Sequence, residues 1–149
     1  MHKYETISKL EVAEVQLFHA IELYLEGEHL ISSITLAGAS EEILGKLVND
    51  MDKENALETK VKGLCDTHKI IYGELADPKS YINIKNDTRN ELKHKKSMEL
   101  TKNFEQDATS MIKRAIINYK ILIPGHVKLF YVFEKEMVRR WHVKQSEIT

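Results

Sequence analysis

The stretch N-D-T-R-N-E-L-K-H, running from Asn86 to His94, gathers the groups in this chain best suited to chemistry on a phosphate. Arg89 is followed directly by Asn90, His94 comes five positions after Arg89, and Asp87 stands two before it. A guanidinium stays protonated and offers a planar fork that matches phosphate oxygens. An imidazole titrates near neutral pH and can accept or donate a proton. Together they suit cleavage of an RNA phosphodiester without a metal. The neighbouring 2′-hydroxyl is the nucleophile, so the protein need only remove its proton, protonate the leaving oxygen and stabilise charge on the phosphoryl group.

Helix geometry limits how such a site could be built. Residues five apart on a regular helix differ by roughly 140° in direction, whereas residues four apart share a face. Asn90 and His94 would then lie together, with Arg89 pointing elsewhere beside Lys93. Either the helix is irregular there, or two copies of the chain meet across a two-fold axis and share one site. The second arrangement is the one favoured. A simpler reading stays open: Asp87 or Thr88 is an N-cap, and Asn90 and His94 form hydrogen bonds along the first turns of the helix that follows.

The charge pattern agrees with a local anion site. Net charge is −1, so the molecule as a whole is no polyelectrolyte partner for nucleic acid. Between residues 85 and 96, however, Lys85, Arg89, Lys93, Lys95 and Lys96 outweigh Asp87 and Glu91. Lys93, Lys95 and Lys96 are the candidate RNA-phosphate contacts, and a solvated face is the plainer role for Lys95 and Lys96.

The elements that must position these groups read as helices. Only 2 prolines and 6 glycines interrupt 149 residues, and long apolar stripes recur at three- and four-residue spacing. Five helical stretches are expected. The first runs from about Glu5 to Glu26 on Leu10, Leu17, Phe18, Ile21 and Leu25, and Gly27 ends it. The second runs from about His29 to Asp50 on Ile34, Ala37, Leu44 and Val48. The third, from about Glu54 to Leu75, carries Leu57, Val61, Leu64, His68 and Ile71, with Asp77-Pro78 as its end. Lys79 to Thr88 shows no helical period and reads as a polar connection. A fourth helix is expected over about Met98 to Leu122, and a fifth over about His126 to Val143 after Pro124-Gly125. The expected fold is all-α: one domain over residues 1–149, an antiparallel up-and-down bundle of four main helices with an additional C-terminal helix. The last helix carries more apolar surface than one flank of a bundle needs, which hints at self-association.

One residue breaks the pattern of the second helix. Glu41 falls four after Ala37 and three before Leu44, in the middle of the stripe that faces the core. A buried carboxylate is costly unless cations or donors meet it. It could snorkel from the stripe's edge, or pair with a basic group from another element, for which Arg89 is the choice. Gly38, Ala39, Ser40 and Gly45 around it leave room for a close helix or a long side chain. Glu42, one step round, should face solvent.

Other groups read as structural. His68 sits on an apolar stripe as a satisfied histidine, and His126 begins a helix. Tyr81 could stack on a base but is better suited to anchoring its segment to the bundle. The single cysteine, Cys65, excludes an internal disulfide and reads as a small core residue. Glu26 and His29 have no second cluster to complete a metal site, so no metal or cofactor is expected. Gly38 and Gly45 lie within a helix and form no phosphate-cradling loop. The charged N-terminus is no signal peptide and no apolar run reaches the length of a membrane span, which points to a cytoplasmic protein.

The segment LISSITLAGASEEILGKL (Leu30 to Leu47), followed some forty residues later by NDTRNELKH, resembles the HEPN superfamily. These are all-helical domains of prokaryotic toxins, RNA-processing and defence proteins, whose signature is an Arg, a polar residue and a His after four to six intervening positions. Arg89, Asn90 and His94 match it, and the likeness covers about residues 10 to 122. The resemblance implies a helical bundle, often a homodimer with two motifs facing one another in a cleft, and Glu41 placed near the motif. It implies metal-independent endoribonuclease activity, with His94 in proton transfer and Arg89 on the scissile phosphate. It also implies an RNA target, with an antitoxin or other protein as a further class of partner. Relatives that lost activity serve as modules binding RNA, a nucleotide or a protein. This chain departs from the pattern in carrying a helix after Pro124-Gly125 and no fused effector domain.

Overall fold

Ser8, Asn55, Asp77 and Asn103 each begin a helix by capping orphan amides of its first turn, and Gly27 and Gly73 each end one in the left-handed region. The computed structural model describes residues 3–94 and 97–148, and among these it contains six helices and no strand. Ser8 caps α1 (Lys9–Glu26) in a reciprocal box with Glu11, and Gly27 closes it in the left-handed region at φ 80°. After a short turn α2 spans Leu30–Asn49. Asn55 and Glu58 form the same box at the start of α3 (Ala56–Tyr72), which stops at Gly73 with φ 73°. Asp77 then caps α4 (Pro78–Lys93), α5 is Phe104–Leu122 behind the cap Asn103, and α6 is Lys128–Ile148.

The fold class expected from the sequence is present, but six helices stand where five were expected. Asp77-Pro78 does not end α3; it starts α4, with the Asp77 carboxylate accepting from the Lys79 amide at 3.1 Å and Pro78 in the first turn. Proline suits that place, because its missing N–H would be unpaired anyway and its φ is already helical. The segment Lys79 to Thr88 is therefore helix and not a connection. Between α4 and α5 the described residues, 94 and 97–103, lie outside any helix, and α5 starts six residues beyond Met98.

Helices α1, α2 and α5 enclose the core, in which Leu17, Ile21, Ile34, Leu44 and Ile112 are fully buried. Each such side chain contributes about 1.5–3 kcal/mol by leaving water. Two serines lock α1 to α2: Ser33 Oγ donates to the Ala20 carbonyl and Ser40 Oγ to that of Ala13, both at 2.7 Å. These pairs advance in opposite directions along the two helices, so α1 and α2 are antiparallel. Helix α5 also opposes α1, since Thr109 meets Tyr24 and Tyr119 donates to Glu14. Burial and that carboxylate push the Tyr119 hydroxyl up to about 12.

Helix α6 closes over the same end. Phe130 and Phe133 are buried, and Arg140 donates to the carbonyls of Tyr24 and Leu25 at 3.0 and 3.1 Å. The last carbonyls of α1 thus find a cation, as a helix C-terminus favours. The outer side of α6 keeps Tyr131, Val138 and Trp141 about half exposed. The stripe of α3 leaves the core halfway along: Val61 is buried, whereas Ile71 and Leu75 are exposed. Cys65 is half-buried rather than a core residue. None of the described helices is long and apolar enough to cross a membrane.

A buried side chain of α5 ties α3 to the core. Asn118 is inaccessible to solvent, and its Oδ1 accepts from the Ala56 amide at 2.7 Å, one of the orphan donors of α3. Asn118→Ala leaves that amide buried without an acceptor and should cost about 2 kcal/mol. Urea unfolding with an unchanged m-value and a lower midpoint is the expected result.

Candidate functional site

Glu41 organises the charged centre of the molecule. It is 4% exposed and faces the core from α2, as the stripe requires. Two guanidinium groups meet it from different helices. Arg89 Nη1 of α4 lies 3.8 Å from Oε2, and Arg114 Nε of α5 lies 3.4 Å from Oε1. The expected partner is there, yet a second and more deeply buried arginine is also present. Arg114 is 2% exposed and was not among the residues singled out from the sequence. The signal was available, because Arg114 falls three after Met111 and four before Asn118, on the inner face of α5.

Arg114 is held at both terminal nitrogens, while its buried Nε faces Glu41 without a hydrogen bond. Its Nη2 donates to Asn86 Oδ1 at 2.8 Å, and its Nη1 reaches the Lys85 carbonyl at 3.4 Å. Burial pushes the Glu41 carboxyl up and the Arg114 guanidinium down, while the mutual attraction of the two opposes both shifts. From this buried pair the charges alternate outward. Arg89 Nη1 lies 3.7 Å from Glu42, and Glu42 meets Lys46 at 3.1 Å and Lys93 at 3.9 Å. Glu42 is exposed, as expected, and its cations hold its carboxyl below the usual range, Lys46 foremost.

The glycine in α2 explains how Arg89 gets in. A Cβ on Gly38 would stand 2.5 Å from Arg89 Cδ and 2.9 Å from Cγ, so the arginine stem lies directly on the α2 backbone. Only glycine leaves that space. The guanidinium is held by charge more than by hydrogen bonds: its one hydrogen bond, to the Gly38 carbonyl, is 3.5 Å long, and buried Nε has no partner. Arg89 also lines a shallow groove with Glu41, Glu42, Lys46 and Asn55.

The motif ends a helix; it does not start one. Asp87 and Thr88 are therefore not N-caps but lie within α4. Thr88 Oγ1 donates to Asp107 at 2.7 Å, and Asp87 is bridged by Lys102. Asn90 supplies the carbonyl that accepts from the His94 amide at 3.0 Å. His94 itself is the C-cap, with extended φ −125° and ψ 134°, so the helical angle between it and Arg89 does not apply. Its side chain is exposed and lines a different groove, with Glu91, Ser97 and Met98. Arg89 and His94 do not converge within one chain. Lys93 joins Arg89 on Glu42, while Lys95 and Lys96 lie outside the described residues. Tyr81 anchors α4 to α3 through a 3.2 Å contact between its hydroxyl and His68 Nδ1. No group of three or more His, Cys, Asp or Glu residues among those described is placed to hold a metal.

No family model matches the chain, and no curated protein or solved structure matches it either. The likeness to HEPN domains rests on Arg89, Asn90, His94 and the helix around Glu41 alone.

Two measurements probe the buried network. Arg114→Met leaves Glu41 in the core with one distant cation and should cost about 3–5 kcal/mol, whereas Glu41→Leu combined with Arg114→Met should recover most of that loss. A double-mutant cycle by urea denaturation reads the coupling. The pH dependence has a definite sign. Folding raises the Glu41 pKa, so the folded state holds that proton more tightly than the unfolded chain. Its contribution is complete below the ordinary carboxylate range and is lost as pH rises through the raised folded value. As pH rises from the ordinary carboxylate range through that raised value, the native protein should therefore lose stability relative to Glu41→Gln, whatever the constant offset between them.

Proposed function

We propose that this chain is a HEPN-like, metal-independent endoribonuclease that cleaves single-stranded RNA at a site completed by a second copy of itself. The observation that carries this reading is the division of labour at the end of α4. Arg89 Nη1 makes a single long hydrogen bond beside Glu41 and Glu42, and His94 stands exposed just past the same helix end, with Lys93 between them. Within one chain the two groups serve different grooves. A two-fold axis near this helix end would set the Arg89 of one copy against the His94 of the other. His94 then takes the 2′-hydroxyl proton or returns one to the leaving oxygen, and Arg89 stabilises the phosphoryl charge. The half-exposed Tyr131, Val138 and Trp141 of α6 supply apolar surface for such an association. In this reading the six helices form the bundle of a toxin or an RNA-processing component, and an antitoxin is a partner of the kind it would need.

A second reading has its own support. Arg89 faces two carboxylates, Glu41 and Glu42, which balance its charge and would repel a phosphate entering that groove. On this basis the chain is a catalytically silent module of the same architecture that binds RNA or a protein.

Cleavage of a single-stranded oligoribonucleotide in EDTA separates the two. The ribonuclease reading expects turnover, a loss of at least 100-fold on His94→Ala, consistent with general acid–base catalysis, and a similar loss on Arg89→Lys. It also expects mixed dimers of His94→Ala and Arg89→Lys subunits to regain activity at one composite site. Absence of turnover in the native dimer, with RNA still bound, supports the silent module. Full activity in His94→Ala removes the proposed chemistry.

A further inference from the structure

A second groove lies away from the motif. It opens where α3, α4 and α5 meet and has a volume of about 510 Å³, within the range of small-molecule sites. Three helices each contribute a lysine to it: Lys60, Lys85 and Lys113. No carboxylate lines it, and none of these lysines has an ion-pair partner among the described residues. The chain has a net charge of −1, and the two grooves lined by His94 and by Arg89 both mix acidic with basic groups. Arg114 forms the floor, held from behind by Glu41 and Asn86. The remaining wall is divided between hydroxyl groups, Thr59 and Ser110, and an apolar strip of Ile117 and Ile121.

Folding gathers these cations against their mutual repulsion. Burial, then the neighbouring charges of Lys85, Arg114 and Lys113, holds the Lys60 ammonium below the usual lysine range. A dianion placed among them would remove that repulsion and take up several ammonium donors at once. The apolar strip beside them would cover a hydrophobic body attached to the anion.

We infer that the Lys60, Lys85 and Lys113 groove binds a phosphate monoester with an apolar or aromatic body, the phosphate meeting the lysines and the body lying on Ile117 and Ile121. The site is separate from the Arg89 and His94 groups and does not depend on their being catalytic. Its phosphate could come from a free small molecule or from the terminal phosphate of an RNA strand.

Isothermal titration of the full chain with phenyl phosphate, inorganic phosphate and 5′-phosphorylated and unphosphorylated oligoribonucleotides tests this. Saturable binding of phenyl phosphate is expected, tighter than inorganic phosphate. Lys60→Gln and Lys113→Gln should each weaken it about tenfold, as loss of one charge-assisted hydrogen bond does. Ile117→Ser should weaken phenyl phosphate while leaving inorganic phosphate unchanged. All three positions are exposed, and thermal melting verifies that the variants fold. Arg89→Lys and His94→Ala should bind phenyl phosphate as the native chain does. Preference for the 5′-phosphorylated strand assigns RNA ends as a source, and equal RNA affinities alongside phenyl phosphate binding assign the free monoester. No binding of phenyl phosphate at low salt, or binding unaffected by the paired Lys60→Gln, Lys113→Gln variant, overturns the inference.

Discussion

A carboxylate inside a hydrophobic stripe has to be met by positive charge, and that requirement shapes this molecule more than any apolar contact does. Glu41 cannot leave the core, because α2 carries apolar residues on either side of it at core-facing positions. The interior therefore has to admit guanidinium groups. Arg114 comes from α5 in the core itself, and Arg89 comes across from α4. Desolvating three charges opposes folding, and their mutual attraction offsets this only if the geometry is held. The holding is done by Asn86, the Lys85 carbonyl and the bare backbone at Gly38. In the register that α4 adopts, Arg89 lies over Gly38 and Asn86 meets Arg114, so a slip of one residue would break both contacts.

That register decides where the motif points. With Arg89 drawn inward by Glu41, the next turn of α4 comes to the surface, and the helix ends there. His94 leaves helical geometry at the cap and is exposed. The same ion pair that buries one half of the motif thus presents the other half. Any chemistry using both groups has to bring a second surface to this helix end, because Glu41 and Gly38 fix Arg89 where it is.

The sequence carried most of the fold and a part of the centre. The stripes of α1, α2 and α5 predict their burial because apolar residues make those faces, and Glu41 stood out as the one polar member. Helix α4 escaped because its inner face is polar. Its two buried residues are Asn86 and Thr88, while Ile82 and Ile84 face outward. A periodicity search weighs hydrophobicity, and here the periodic contacts are hydrogen bonds to Arg114 and Asp107. Asp77-Pro78 could equally stop one helix or start another, and only Gly73, in the left-handed region, shows that α3 had already ended. Arg114 was hidden for a related reason: an arginine on a core face is normally read as a solvated edge until its carboxylate is known.

The two polar grooves flanking α4 differ in sign, and that difference follows from the buried triad. On the α2 side Glu41 and Glu42 line the wall beside Arg89, so charge is balanced there. On the α3 and α5 side the carboxylate lies behind Arg114, out of reach, and the lysines face one another. Attraction between Glu41 and Arg114 is spent in the interior and cannot relieve the lysines at the surface, where water and an incoming anion compete. An anion approaching the molecule should therefore be drawn to the lysine groove first, and reach Arg89 only when something outside this chain displaces or screens the two carboxylates. A second subunit pressing against the end of α4 would do that only by bringing a cation of its own to Glu42, because excluding water alone strengthens the hold of the carboxylates on Arg89 and their repulsion of a phosphate.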